Sequence, residues 1–157
     1  MKLLLDEMLK RTAKWLRIFG IDTDHAAGRN DTELLDVAEK EDRVLVTKDV
    51  ELFTRCQKRK LKCHFLKSEK LEDQLVELKN ALGLVFPFPE KTRCPACNAE
   101  LVIVSGFEVL GLVEASVLEH HNKFWKCAKC NKAYWEGSHW RNITRIFESV
   151  RELPKSA

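Results

Sequence analysis

The chain has 157 residues, 45% of them apolar and 32% charged, with a formal net charge of +3. That is enough apolar material for one core or two small ones. It excludes a strongly basic tail, so any nucleic-acid site has to be a local patch. Met1-Lys2-Leu3-Leu4-Leu5 runs straight into Asp6-Glu7, too short for the apolar region of a signal peptide, and no stretch approaches the roughly 20 apolar residues of a membrane span. The expectation is a cytoplasmic protein without membrane contact, in which Cys56 and Cys63 stay as free thiols.

Residues 1–83 alternate strand and helix. Leu3, Leu4 and Leu5 form a short apolar run that predicts a buried strand ended by Asp6. A helix is predicted over residues 7–19, with Leu9, Ala13 and Leu16 on one face and Gly20 as its left-handed stop. Residues 21–26 make a weak second strand, and Gly28-Arg29-Asn30 a turn. Asp31 is the predicted N-cap of a helix to residue 40, with Glu33 in its first turn. Arg43-Val44-Leu45-Val46-Thr47 is the clearest strand. Asp49 opens a third helix to residue 58, residues 63–66 form a fourth strand, and residues 69–82 a helix closed by Gly83.

Strands alternating with helices predict an α/β fold with a parallel sheet covered by helices. In such a sheet the functional groups gather beyond the C-terminal ends of the strands. Asp6 and Asp49 follow the first and third strands, and Asp31 and Glu33 open the helix after the second. These four carboxylates are expected on one rim. Carboxylates crowd together where a hard divalent cation, Mg²⁺ or Mn²⁺, neutralises them, and such ions assist phosphodiester hydrolysis. Each acid also has a local use: Asp31 and Asp49 as caps, Glu33 as a favourable charge at a helix start.

Residues 84–92, with two prolines in three residues, form a stiff connection whose aromatics pack on one of the parts. Beyond it stand Cys94-Pro95-Ala96-Cys97 and Cys127-Ala128-Lys129-Cys130, separated by 29 residues. Two C-x-x-C turns are the ligand set of a closed tetrahedral zinc site, which holds a fold together and leaves no open position for catalysis. Two disulfides or a redox pair are the alternatives. Leu101-Val102-Ile103-Val104 predicts a strand, Gly106 and Gly111 punctuate further short strands, residues 123–126 lead into the second turn, and residues 140–153 predict a helix with Ile143, Ile146, Phe147 and Val150 on one face.

Taken in order, Asp6-Glu7-Met8-Leu9, Ala13-Lys14-Trp15-Leu16-Arg17, Gly20-Ile21-Asp22, Asp31-Thr32-Glu33-Leu34-Leu35 and the stretch to Thr47-Lys48-Asp49 resemble a PIN-like ribonuclease domain. With both cysteine turns and Tyr134-Trp135-Glu136-Gly137-Ser138-His139-Trp140, nearly the whole chain resembles the Mut-seven C-terminal family, predicted RNases that join a compact PIN-like domain to a zinc ribbon. The resemblance implies a three-layer PIN-like domain over residues 1–88 and a β-rich ribbon with a C-terminal helix over residues 89–157. It implies metal-assisted RNA cleavage, with Asp6 as the first acid, Asp31 or Glu33 as the middle one and Asp49 as the Thr-x-Asp acid. Larger PIN nucleases carry another acid on an additional helix that this chain lacks room for. Glu72 or Asp73 is the candidate substitute.

Lys10, Lys14 and Arg17 recur at helical spacing and are candidates to guide a phosphate backbone, Arg17 by its fork. Arg55, Lys58, Arg59, Lys60 and Lys62 form a second basic cluster, read chiefly as solvating charge. His139 and Arg141, among the ribbon aromatics, are further RNA-binding candidates. The leading expectation is a metal-dependent endoribonuclease with RNA as partner. The alternatives are a non-catalytic RNA-binding module, ribosome- or mRNA-associated, and a protein-interaction adaptor.

Overall fold

A computed structural model describes residues 1–152. The chain begins with β1 (Leu3–Leu5), a 3₁₀ turn (Glu7–Leu9), α1 (Lys10–Ile18) and β2 (Thr23–His25). It continues through α2 (Asp31–Glu41), β3 (Val44–Thr47), α3 (Val50–Lys58), β4 (Cys63–Phe65) and α4 (Leu71–Leu82). The four strands form one parallel sheet in the order β2-β1-β3-β4. The α/β expectation therefore holds.

The period of two along each strand divides the core. Leu3, Leu5, Val44 and Val46 join one apolar cluster with Leu9, Leu16 and Phe19 and with Leu75 and Leu78 of α4. Leu4 and Leu45 point the other way, into a cluster with Leu34, Leu35 and Ala38 of α2 and Leu52 and Cys56 of α3. Helices thus cover both faces, and β1 and β3 lie centrally with every residue buried.

Gly20 ends α1 for two reasons. Its φ of +92° is left-handed, and a Cβ there would collide with the Pro87 ring and the Lys91 carbonyl. The connecting segment is thereby seated against the end of α1. The Phe88 ring lies tilted at 5.7 Å from fully buried Phe19, and the Phe86 ring at 5.3 Å, as expected for aromatics fastened to one part. Truncating Phe19 to alanine would cost about 3–5 kcal/mol by the cavity left behind.

The remaining elements are β5 (Leu101–Val104), a 3₁₀ turn (Gly106–Val109), α5 (Ala115–His120), β6 (Phe124–Cys127), β7 (Ala133–Trp135) and α6 (Trp140–Glu152). β5, β6 and β7 make a separate antiparallel sheet in chain order. The short strands expected around Gly106 and Gly111 are instead a turn and a helix. Ser105 and Glu108 form a reciprocal capping box there, which favours helical turns over extension. The expected last helix forms as α6, and Leu153, where it was predicted to end, lies outside the described residues.

α6 meets the ribbon at its first residue, where Trp140 stacks on Trp125, and then packs on the parallel-sheet core. Ile146, Phe147 and Val150 belong to the cluster of Leu3 and Phe19, and Phe147 meets Phe19 at 5.4 Å and Phe88 at 4.9 Å. Lys79 of α4 donates to the Val150 carbonyl at 2.7 Å. The last helix therefore completes one face of the parallel-sheet core. Among the described residues no helix is long and apolar enough to cross a membrane.

Candidate functional site

Asp6 and Asp49 stand at the C-terminal ends of the two central strands, as the topology requires. Asp6 Oδ1 accepts from the Glu7 N–H at 2.7 Å, and Oδ2 accepts from the Thr47 hydroxyl at 2.8 Å. The same Thr47 oxygen accepts the Asp49 N–H at 2.9 Å. Asp49 is the N-cap of α3, its Oδ1 accepting from Glu51 N and Leu52 N. One fully buried hydroxyl thus ties the two acids together across β1 and β3. Each carboxylate keeps lone pairs open to solvent.

The acids of α2 are placed differently. Asn30, not Asp31, caps α2: its side chain accepts the Glu33 N–H at 2.9 Å, and its amide donates to Glu33 Oε1 at 2.8 Å. Asn and Asp are near-equal caps, so the preceding turn decided the register by one residue. Asp31 lies 3.6 Å from Arg55 of α3. Glu72 lies 4.0 Å from Arg145 of α6. Among the described residues, the one set of three or more metal-ligating atoms within 4.8 Å of one another is that of the four cysteines. Asp6, Asp31, Glu33 and Asp49 do not close to that distance.

Asp6 and Asp49 nonetheless fit a hard divalent cation. Mg²⁺ is commonly held by one or two carboxylates with water filling its remaining positions, and two half-exposed or exposed acids braced by hydroxyl and backbone donors offer that donor set.

The basic residues divide clearly. Arg17 donates Nε to the Thr23 carbonyl at 2.7 Å and Nη1 to the Pro95 carbonyl at 3.0 Å. The fork expected to meet phosphate is occupied in joining the first cysteine turn to β2, and burial lowers the Arg17 pKa. Asn98 helps at the same joint, accepting from Thr23 N at 3.0 Å and donating to Asp22 at 2.7 Å. Lys10 and Lys14 are exposed and make no ion pair with a described residue. Of the second cluster, Arg55, Arg59 and Lys62 pair with Asp31, Asp36, Glu39 and Asp42.

The cysteines meet as predicted. Cys94 and Cys130 sulfurs are 3.6 Å apart, and Cys97 and Cys127 sulfurs 3.4 Å. Bonded sulfurs would stand near ~2.05 Å, whereas zinc–sulfur bonds of about 2.3 Å set tetrahedral edges near ~3.8 Å. All six cysteines are free. The cluster can hold a zinc ion, and the disulfide alternative fails on distance. Sequence reasoning missed one contributor, Tyr134, whose hydroxyl lies 3.2 Å from Cys94 sulfur. Burial would raise the Cys94 pKa. The Tyr134 hydroxyl and the Cys97 and Ala96 N–H groups outweigh it and bring the thiol down to about 7.

His139 and Arg141 are exposed. His139, Tyr134, Trp135 and Trp140 line a cavity of about 360 Å³ between the ribbon and residues 88–93. Trp125 also lines it, stacked on Trp140 at 5.1 Å.

A family model described as Mut7-C RNAse domain matches residues 1–147, which include the parallel sheet, both cysteine turns and the start of α6. No curated protein and no solved structure matches the chain. On the strength of a match over nearly its whole length, the chain belongs to the Mut7-C RNAse domain family.

Proposed function

We propose that this protein is a metal-dependent endoribonuclease whose centre is the Asp6–Thr47–Asp49 arrangement. The observation that carries the reading is the pair of acids on adjacent central strands, braced by one buried hydroxyl, in a chain of an RNase family. Asp6 and Asp49 hold Mg²⁺ or Mn²⁺, and Asp31 or Glu33, in the first turn of α2, supplies the third carboxylate directly or through water. Bound there, the ion supplies Lewis-acid assistance to phosphodiester hydrolysis. Thr47 orients the Asp6 carboxylate and holds the Asp49 backbone, and the first N–H groups of α3 orient the Asp49 carboxylate. Residues 1–88 are the nuclease part in this reading and residues 89–157 the ribbon part, with zinc on Cys94, Cys97, Cys127 and Cys130. His139 and Arg141 contact RNA beside the ribbon, and the protein works in the cytoplasm, where its thiols stay reduced.

The test is incubation of labelled single-stranded RNA with Mn²⁺ and either the wild-type chain or Asp6→Asn. Metal-dependent cleavage ending in 3′-hydroxyls, lost in the variant while its melting curve is kept, supports the reading. Cleavage that persists in Asp6→Asn refutes it. The absence of three closely spaced carboxylates among the described residues favours, as second reading, an RNA-binding module without cleavage. It predicts RNA binding by wild type and Asp6→Asn alike and no product from either.

A further inference from the structure

A groove of about 1100 Å³ runs between α1 and the first cysteine turn. One wall carries Lys10, Arg11, Lys14 and Arg17. The other is Pro95, Ala96 and Cys97, with Lys129 of the second cysteine turn at its edge. Lys10, Arg11, Lys14 and Lys129 are exposed and make no ion pair or side-chain hydrogen bond with a described residue. This sets them apart from Arg55, Arg59 and Lys62, whose charges are met by α2 and the turn after it. Two carboxylates, Glu7 and Asp24, also line the groove, and Asp24 is paired with Arg29 at 3.0 Å. The groove therefore presents an excess of uncompensated positive charge. Glu7, which lines it, is next to Asp6 in the chain.

We infer that this groove is a track for single-stranded RNA, whose phosphates are held by Lys10, Arg11 and Lys14 of the sheet unit and by Lys129 of the ribbon. The inference rests on the ribonuclease reading and extends it by assigning where the strand lies. Lysines on flexible stems suit phosphates as point charges, without base selectivity. Met8, 66% exposed, and Pro95 in the wall offer apolar surface to bases, whose faces are open only in a single strand. Arg17 has a positioning role here. By fixing Pro95 against β2 it sets the distance between the walls.

The test uses the full chain carrying Asp6→Asn, so that RNA survives, with a labelled single-stranded 12-mer followed by fluorescence anisotropy across a salt series. Lys14→Ala with Lys129→Ala is compared with Lys40→Ala and Lys58→Ala, an equal charge loss at exposed lysines outside the groove. The groove pair is expected to weaken binding by about tenfold and to flatten the salt dependence by about 0.7 for each phosphate no longer neutralised, with the control unchanged. Equal binding by the two double variants overturns the inference. So does displacement of the RNA by polyglutamate of matched charge as readily as by unlabelled RNA, which would indicate an acidic protein segment as the ligand. The two readings fail separately. Cleavage that needs Asp6, together with groove-independent binding, rejects the track and keeps the ribonuclease. Groove-dependent binding with no cleavage by the wild-type chain rejects the ribonuclease and keeps the track.

Discussion

The Thr47 hydroxyl donates to Asp6 Oδ2 at 2.8 Å while accepting the Asp49 N–H at 2.9 Å, so β3 holds the acid that ends β1. Thr47→Val keeps the shape of this buried side chain and deletes both interactions. The Asp49 N–H is left without its partner, at a cost of about 1–2 kcal/mol in urea unfolding. If the two acids act together, cleavage falls by about 10–100-fold, as for other groups that orient metal ligands. The fall is expected in kcat with KM little altered. Thr47→Ser retains the hydroxyl and restores most of the rate. A Val variant that cleaves like the wild type would show that the tie is structural only.

Arg17 joins chain segments 78 residues apart through the Pro95 carbonyl. Arg17→Met preserves the stem and removes both forked donations, leaving the Thr23 and Pro95 carbonyls short of donors. A loss of about 1–3 kcal/mol in chemical denaturation is expected. Arg17→Lys should recover little of it, because one ammonium cannot reproduce the planar fork on two carbonyls. Full recovery by lysine would mean that charge, and not geometry, makes the joint.

The four sulfurs predict about one zinc per purified chain by atomic absorption. A strong chelator should remove it and lower the melting temperature sharply, since binding to a site absent in the unfolded chain contributes directly to folding. Trp125 and Trp140 report the event, because β6 carries both Trp125 and Cys127 and the two indoles are stacked. Their fluorescence should change together with metal loss. Cys127→Ser should behave like the chelated protein. An unchanged melting curve after the zinc has gone would contradict the structural role.

Local signals were legible in the sequence and long-range ones were not. The Leu3–Leu5 run, the Val44–Thr47 run and the left-handed stops at Gly20 and Gly83 depend on a few adjacent residues, and the strands and helices formed nearly where expected. The cysteine turns were legible because metal ligation imposes a fixed spacing. The apolar spacing of Ile143, Ile146, Phe147 and Val150 foretold a helix, but periodicity does not name the partner of a face. That Ile146, Phe147 and Val150 of α6 pack with Phe19 is a tertiary fact. The joint that Arg17 makes was hidden for the same reason, since its i, i+7 relation to Lys10 is visible in the chain and its bond to Pro95 is not. Tyr134 at Cys94 had no local signal either, lying 40 residues away from its partner.

Glu77 on α4 makes the stability of the sheet unit sensitive to acid. Its Oε1 lies 2.9 Å from His64 Nε2 of β4 and accepts the Lys67 N–H at 3.0 Å, and its Oε2 accepts the Ser68 N–H at 2.9 Å and the Ser68 hydroxyl. Burial alone would raise its pKa, but these donors outweigh it and hold the carboxyl down at about 2, against an ordinary value of 4.5. The folded pKa is thus depressed. The stabilisation is fully present above the unfolded value and is lost as pH falls from 4.5 through about 2. With solvent screening it amounts to about 1–2 kcal/mol. Glu77→Gln should therefore lie below the wild type in urea unfolding at pH 6, and the gap should narrow steadily as the pH is taken towards 2.5. A gap that stays constant over that range would show that the carboxylate charge contributes nothing beyond the shape of the side chain.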